Sequence, residues 1–552
     1  MSNGKNRTIP FLLAGMGCVF LLSGCTIVEN IRNIFSVSPK YENTNVILIS
    51  IDTLRHDHLG CYGYERDTSR NIDKLAEESV LFENFITQAN LTPISQMSIL
   101  TSQYPRVNGM TSFNIHPAGR NLKTLPSILK YYDYFNAAFL SSPEFYFRYN
   151  SKDGYMVNLI DEFSKPFDMY SSHKGMFHRD VPMEALGWIS ENKDKKFFLW
   201  LPIGTVHFRY SANFPEKYRA IYDRPGYEPF FNRFGKQQNS IPYAANQCVY
   251  KNTYYRDFSE NHKLNSDDVD HIISRYDAGI RYTDDFVGRL LEHLNELGLS
   301  KKTMIILHST HGEDLGEHGY FTHYDLYDTE VKNALMIRFP KKKFGGKRVE
   351  TQVQGLDIMP TVFEYLGIPV NHEAQGTSLI PLIERGDDQN WPDRYAYSIR
   401  IPLWEQVLSN WLFEKIENDY VEATFTEKEK DKIQHEYLNI TKAIFTESSR
   451  KQINCIAIRT KDWKLILRKD KELLEKVSWW AFITGKPVNI EQIELYDLKK
   501  DPLEQTNIAQ TRQDIVKILK EKLLEWDKNI ENNKAQIDND GKTKYILPYP
   551  GE

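Results

Sequence analysis

The chain has 552 residues, too many for one small core, and is expected to hold one large domain and a smaller one. Its 69 Lys and Arg against 74 Asp and Glu leave a net charge of −5, so it lacks the electrostatic footprint of a nucleic-acid binder. Aromatic residues make up 13%, enough to line surfaces as well as a core.

The first expected element is a targeting segment, residues 1–24. Lys5 and Arg7 precede an apolar run, Pro10 to Leu22, that is too short to span a bilayer. It ends in Leu22-Ser23-Gly24-Cys25, which resembles a bacterial lipobox. That resemblance implies cleavage before Cys25, lipidation of its thiol, and a protein anchored in the cell envelope by lipid rather than by a membrane span. By the same resemblance, Thr26 after the cysteine points to the outer membrane or cell surface, with a periplasm-facing anchor as the alternative. Residues 25–43 read as a tether. Cys61, Cys248 and Cys455 form neither a disulfide framework nor a zinc pattern, so core packing is expected for all three.

From residue 44 onward strands and helices alternate, the pattern of a sheet covered on both faces. The unbroken apolar run Val46-Ile47-Leu48-Ile49 reads as a strand buried on both faces. It ends at Asp52-Thr53, where open α/β sheets bind ligands, although an Asp there also serves as a helix cap. Further strands are expected at Ala137–Ser141, Phe197–Leu201, Thr303–Leu307 and Leu335–Phe339. A helix is expected from Asp267 to about Leu297, capped by Ser266 and stopped by Gly298, with Tyr276 and Phe286 in its apolar stripe. The aromatic segment 208–258 reads as a lid or substrate wall, or equally as a packing insertion. Another helix begins in Gly355–Thr361 and closes near Leu366-Gly367. A boundary is expected near Arg385–Gln389, dividing a domain 44–385 from a C-terminal one, 386–552. Within the latter, 403–450 reads as a helical insertion. Cys455–Arg459, Trp463–Leu467 and Ile493–Leu498 suggest a small antiparallel sheet, packed by a final helix Gln513–Asn529. Trp479, Trp480 and Phe482 suit core burial or a membrane-facing patch.

Five motifs follow one another in order: Asn45–Tyr64, Asn90–Ser102 with Tyr104-Pro105, Thr205-Val206-His207, Ile306–Gly319, and Ile493–Leu498 with Asp501-Pro502-Leu503-Glu504. Together they resemble the sulfatases of the alkaline-phosphatase superfamily over roughly 44–385 and 453–510. The resemblance implies an α/β fold: a large, mixed, mostly parallel sheet sandwiched by helices, plus a smaller C-terminal α+β domain with a short antiparallel sheet. It implies that Asp52 and His311 bind a metal, that His207 contacts the ester oxyanion, and that His323 lies near the leaving group. Thr92 falls on the position of the Cys or Ser that sulfatases oxidise to formylglycine, with Ser95 on the family's Ser and Gln96 on its Arg. Threonine cannot become formylglycine, so none is expected here. Thr310 stands where the family has a metal-binding Asp, and Ile94 replaces a Pro.

One divalent metal ion is expected on Asp52, Thr92 and His311, with Thr53, Thr310 or water filling in and His308 as a substitute ligand. A single carboxylate suits Zn²⁺ or Mn²⁺ better than Ca²⁺. Thr92 either caps the following helix or acts as a nucleophile whose hydroxyl the metal activates. A phosphothreonine can be hydrolysed by a second in-line attack, whereas a sulfothreonine lacks the formylglycine escape route. The expected activity is therefore hydrolysis of sulfate or, given Thr92, phosphate or phosphonate esters, on a glycan or a small ester. Two alternatives stay open: a degenerate protein that binds an anionic glycan or lipid, and a phospho-headgroup transferase.

Overall fold

The computed structural model describes residues 43–110, 122–141, 147–150, 155–158, 165–172, 182–207, 215–227, 266–318, 321–370, 373–386, 394–400, 455–468 and 493–532. The lipobox with Cys25, the tether, Cys248, most of 208–258, the expected insertion 403–450 and Trp479–Phe482 lie outside these residues.

In chain order the first strands are β1 (Asn45–Ile51), β2 (Val80–Ile86), β3 (Phe135–Leu140), β4 (Phe147–Asn150), β5 (Tyr155–Asn158), β6 (Met169–Ser172) and β7 (Phe197–Ile203). They continue with β8 (Thr303–Ser309), β9 (Asp314–Leu315), β10 (Phe321–Thr322), β11 (Lys332–Arg338), β12 (Lys347–Val349) and β13 (Val353–Gln354). The C-terminal strands are β14 (Ala396–Arg400), β15 (Cys455–Arg459), β16 (Trp463–Arg468) and β17 (Ile493–Asp497).

The main sheet runs β12-β2-β11-β8-β1-β7-β3-β6, with β13 also on β2. Its centre is parallel: β1 lies between β7 and β8, all three in the same direction. β11 runs antiparallel to both β8 and β2, which makes the sheet mixed. Every residue of β1 is buried, and its side chains alternate between two helical layers. Ile47, Ile49 and Ile51 pack on the side of the long helix Ser266–Glu296, with Tyr276, Ile280 and Leu290. Val46 and Leu48 face the helix Ile358–Leu366, with Val362 and Phe363. The continuous apolar run is thus the signature of a strand covered on both faces.

β2, VLFENFI, was not among the strands expected from the sequence; Glu83 and Asn84 interrupt its apolar run, and both are only half-buried. β11 starts at Lys332, earlier than the expected Leu335, because its polar first residues belong to the ladder with β2.

The second sheet, β14-β15-β16-β17, is antiparallel throughout and is backed by the helix Gln513–Asn532. It is joined to the first body by the backbone, where Ile399 N donates to Gln88 O at 2.9 Å. The helix Thr92–Thr101 lies in the seam. Its Ile94 and Met97 share a core with Ile399, Ile456, Leu465 and Trp526. Buried ion pairs cross the same seam. Asp328 binds Arg459 at 2.8 Å and Lys464 at 2.9 Å, and Asp325 binds Arg468 at 2.7 Å. Among the described residues no helix is long and apolar enough to cross a membrane.

Candidate active site

Three parallel strands end side by side and deliver the polar groups: β1 leads into Asp52, β7 toward His207, and β8 into Thr310 and His311. The fourth contributor is the first turn of the helix Thr92–Thr101, where Pro93 suits a position whose N–H would be unpaired anyway.

Asp52 Oδ1 is the hub. It accepts hydrogen bonds from Thr92 Oγ1 and Thr310 Oγ1, each at 2.6 Å, and His311 Nε2 stands 3.4 Å away. Thr92 Oγ1 also lies 3.0 Å from His311 Nε2. His311 Nδ1 faces Gly312 O at 2.9 Å, so that nitrogen carries the ring proton and Nε2 presents a lone pair to Thr92. Burial, reinforced by the neighbouring His323 ring, lowers the His311 pKa to about 4 and keeps the imidazole neutral. Gly312 is required by close approach: a Cβ there would stand 2.0 Å from Thr329 O, and a side chain would push His311 off its position.

The three histidines form a row. The ring centres of His311 and His323 are 4.5 Å apart, and those of His323 and His207 are 5.2 Å apart. His323 is fixed by Glu313 Oε1, 3.0 Å from its Nδ1, and Asn90 Nδ2 donates to its carbonyl at 3.2 Å. Ser95 Oγ donates to Thr310 O and so holds the backbone that presents the Thr310 hydroxyl. Gln96 sits one turn beyond Thr92 on the same helix face, and both atoms of its buried amide lack partners.

Of the residues singled out in the sequence, Asp52, Thr92, Thr310 and His311 therefore meet, with His323 and His207 beside them. His308 does not join them. Strand alternation places it correctly on the Thr310 side, but one step deeper in the sheet, in register with Ser50. Its Nε2 pairs with Ser50 Oγ at 2.7 Å and its Nδ1 faces Ser309 O at 3.0 Å, so both nitrogens are occupied away from Asp52. The substitute-ligand expectation is corrected accordingly.

Thr53 has φ of 53°, a left-handed conformation that is a true outlier for a β-branched residue. Tyr276, read from periodicity as a core residue, is what holds it. The buried Tyr276 hydroxyl donates to Thr53 O at 2.7 Å and accepts from Arg55 N at 2.8 Å. Helical spacing correctly predicted that Tyr276 is buried but could not show where its hydroxyl goes. Glu313 and Asn90 were also missed as supports of His323, although both stand inside recognised motifs.

Whether these residues suit a metal can be judged from their unpaired atoms. Asp52 Oδ2 and Thr53 Oγ1 are buried without partners, the condition expected of atoms awaiting a cation. Both neighbouring hydroxyls, Thr92 and Thr310, donate to Asp52 Oδ1 and leave Oδ2 without a donor. Yet among the described residues no three His, Cys, Asp or Glu side chains are placed to hold one metal ion together. The set fits an ion that tolerates one carboxylate, and falls short of a closed Zn²⁺ or a carboxylate-rich Ca²⁺ site.

Fold and site together define a protein of the alkaline-phosphatase-like class, with functional groups at the carboxyl ends of central parallel strands. Residues 44–368 match the family described as Sulfatase, and the chain belongs to that family. Among curated relatives, the N-acetylglucosamine-6-O-sulfatase of Bacteroides thetaiotaomicron is 24% identical over 63% of this chain and 72% of its own length. The mouse iduronate 2-sulfatase is 24% identical over 59% of this chain and 69% of its own. A solved structure described as bound to its substrate, D-glucosamine-2-N,6-O-disulfate, aligns with a TM-score of 0.61 at 20% identity, covering 89% of this chain and 98% of that one. The phosphonate monoester hydrolase of Agrobacterium radiobacter aligns with a TM-score of 0.57 at 17% identity, covering 91% and 100%. At these identities the structures speak for the fold.

Proposed function

We propose that the protein is a hydrolase of anionic esters, phosphate or phosphonate esters ahead of sulfate esters, with Thr92 as the nucleophile. The observation that carries this reading is the Thr92 hydroxyl, shared between Asp52 Oδ1 at 2.6 Å and His311 Nε2 at 3.0 Å at the head of a buried helix. In the first step the Thr92 proton passes to that pair, Thr92 Oγ bonds to phosphorus, and the bond to the leaving oxygen breaks. The leaving oxygen takes up a proton and departs as an alcohol. Water then attacks the phosphothreonine in line, releasing phosphate and restoring the hydroxyl. His323, anchored on Glu313, and His207 beside it are the groups placed to bind the ester oxygens and to protonate the leaving one. A divalent ion held by Asp52, Thr92 and His311 would neutralise charge and lower the hydroxyl pKa.

Substrate class follows from two supports. Curated relatives include an N-acetylglucosamine-6-O-sulfatase, a phosphonate monoester hydrolase shares the fold, and threonine in place of a formylglycine precursor favours phosphorus over sulfur. The substrate is a phosphorylated or sulfated glycan or a small ester, met in the cell envelope by a protein lipidated at Cys25. Mass spectrometry of the amino-terminal peptide from native cells tests the anchor. A panel of sulfate, phosphate and phosphonate esters, assayed with wild type and Thr92→Ala, tests the chemistry. Equal turnover by both proteins removes Thr92 from the mechanism.

A second reading has its own support. Gln96 replaces the family's arginine, and its amide is buried without partners, so the site carries a weaker anion clamp than the family pattern. In that reading the protein binds an anionic glycan or lipid without turnover. Calorimetric binding of an ester that wild type fails to cleave would favour it.

A further inference from the structure

The Asp52 cluster occupies the carboxyl ends of the central strands, and the opposite end of the same sheet carries a different chemistry. β2, β3, β7 and β8 begin there beside β1, and β11, running the other way, finishes there. The connections into those strands and out of β11 are residues 78–79, 132–134, 192–196, 297–302 and 339–346. They hold eight lysines against three acids, Glu78, Asp133 and Asp194, in a chain whose net charge is −5.

These connections form one surface. Tyr134 Oη donates to Thr44 O at 3.0 Å, Phe135 N to Lys196 O at 2.9 Å, Lys302 Nζ to Lys193 O at 3.5 Å, and Arg338 Nη2 to Ser300 O at 3.0 Å. From β11 to β3 the face spans about 20 Å at ordinary strand spacing. Lys193, Lys195, Lys301 and Lys341 are exposed on it. Lys342 pairs with Glu78 at 2.7 Å, a solvated contact of little strength. Lys341, Lys342 and Phe344 have φ of 56°, 57° and 69°, so this turn presents its lysines at a backbone cost. At the rim Tyr131 is 78% exposed, with the Tyr132 ring edge-on at 5.4 Å. Lysine heads beside tyrosine rings, which are apolar with a polar tip, suit the headgroup layer of a lipid surface.

We propose that this end of the sheet docks on an anionic lipid surface through its lysines. The inference deepens the reading of the chain as an envelope protein tethered from a lipidated Cys25, and rests on that reading. The tether joins the body at this same end, where Thr44 leads into β1. β1 has seven residues, which places Asp52 about 23 Å from the face. Docking therefore turns the candidate site away from the lipid, toward substrates that arrive from water.

The test uses the full chain with Cys25→Ala, which carries no acyl chain. Its probes are vesicles of phosphatidylcholine alone or mixed equally with phosphatidylglycerol. Cosedimentation should favour the anionic vesicles, and the preference should fall as salt rises. Lys193→Gln, Lys301→Gln and Lys341→Gln together should weaken that binding about a hundredfold, at about fivefold per lysine. Lys499→Gln, Lys517→Gln and Lys522→Gln together change the net charge equally, on exposed residues beside the second sheet, and should leave binding near wild type. The leader is common to all these proteins, so their ratio reports the lysines. Thermal melts establish that each variant is folded. Hydrogen exchange should show that anionic vesicles protect 192–196 and 339–346 and leave Thr310 and His311 unchanged. Equal binding to both vesicles, equal losses in the two triple variants, or protection confined to the site end overturns the inference. So does a soluble anionic polysaccharide that these lysines hold while they ignore vesicles. A natively lipidated protein whose lysines ignore vesicles defeats the inference and keeps the anchor, whereas an unlipidated one whose lysines hold them does the reverse.

Discussion

Replacing Thr92 by alanine separates a nucleophile from a structural hydroxyl, because the two roles predict losses of different size. In the structure Thr92→Ala deletes one charge-assisted bond to Asp52 at 2.6 Å, while Thr310 continues to donate to the same oxygen at 2.6 Å. A lost bond of that kind costs about 1.5–3 kcal/mol of stability. The expectation that Thr92 caps its helix is corrected: Leu91 holds the cap position, no side-chain capping bond forms, and no capping cost is added. Loss of the attacking oxygen, by contrast, should lower kcat/KM by about four orders of magnitude or more, equivalent to about 5.5 kcal/mol in the barrier. Thr92→Ser keeps the oxygen within reach of Asp52 and His311 and should stay within about tenfold of wild type. The assay is steady-state hydrolysis of phosphate and phosphonate monoesters, with melting curves for all three proteins and acid-quenched peptide mapping. Wild type should show one phosphoryl group on the peptide carrying Thr92, and alanine none. An alanine variant that keeps more than about a tenth of the rate would refute the reasoning, since a protein deprived of its attacking oxygen cannot retain that rate.

Three further outcomes can be checked. His308, lowered by burial to about 4 from an ordinary value near 6.5, binds its proton more readily in the unfolded chain, so stability is full above pH 6.5 and falls as pH drops toward 4. The drop is worth about 3 kcal/mol, and denaturant titrations should show a shallower acid limb for His308→Asn. Asp328→Ala removes the carboxylate that Arg459 and Lys464 share in a buried seam, leaving Lys464 to Glu504 and Arg459 to Gln352, and should cost about 3 kcal/mol in urea unfolding, with both sheets losing protection from hydrogen exchange. Tyr276→Phe keeps the packing but releases Thr53 from its left-handed conformation. It should lower kcat about tenfold while moving the melting temperature little, and a large fall in melting temperature with unchanged kcat would contradict the role given to the hydroxyl.

Much of this was legible in the sequence for a local reason. The run Val46–Ile49 announces a strand buried on both faces, and the polar residues after β1 and β8 are carried to one point by parallel neighbours. Asp52, Thr92 and His311 could be grouped because each falls in a motif that carries the resemblance to the sulfatases, not because local pattern brings them together. Direction and depth were not legible. Nothing in the apolar pattern of Leu335–Ile337 marks β11 as antiparallel, since alternation is the same for either orientation. His308 has the right parity and the wrong depth, a distinction set by where the ladder with Ser50 ends. Tyr276 illustrates the third gap: spacing predicts its burial, but a hydroxyl's partner 223 residues away exists only after folding.

The seam between the two sheets has a consequence for how the protein is made. His323 stands beside Asp325 and Asp328, whose partners Arg459, Lys464 and Arg468 come more than a hundred residues later, and Glu504 accepts from Asp328 N. A growing chain that has already produced β1, the Thr92 helix and β8 still lacks the groups that neutralise those carboxylates. Synthesis must pass Glu504 before the segment behind His323 has its full set of partners. This seam is therefore completed late, after the residues that build the Asp52 cluster have already been made.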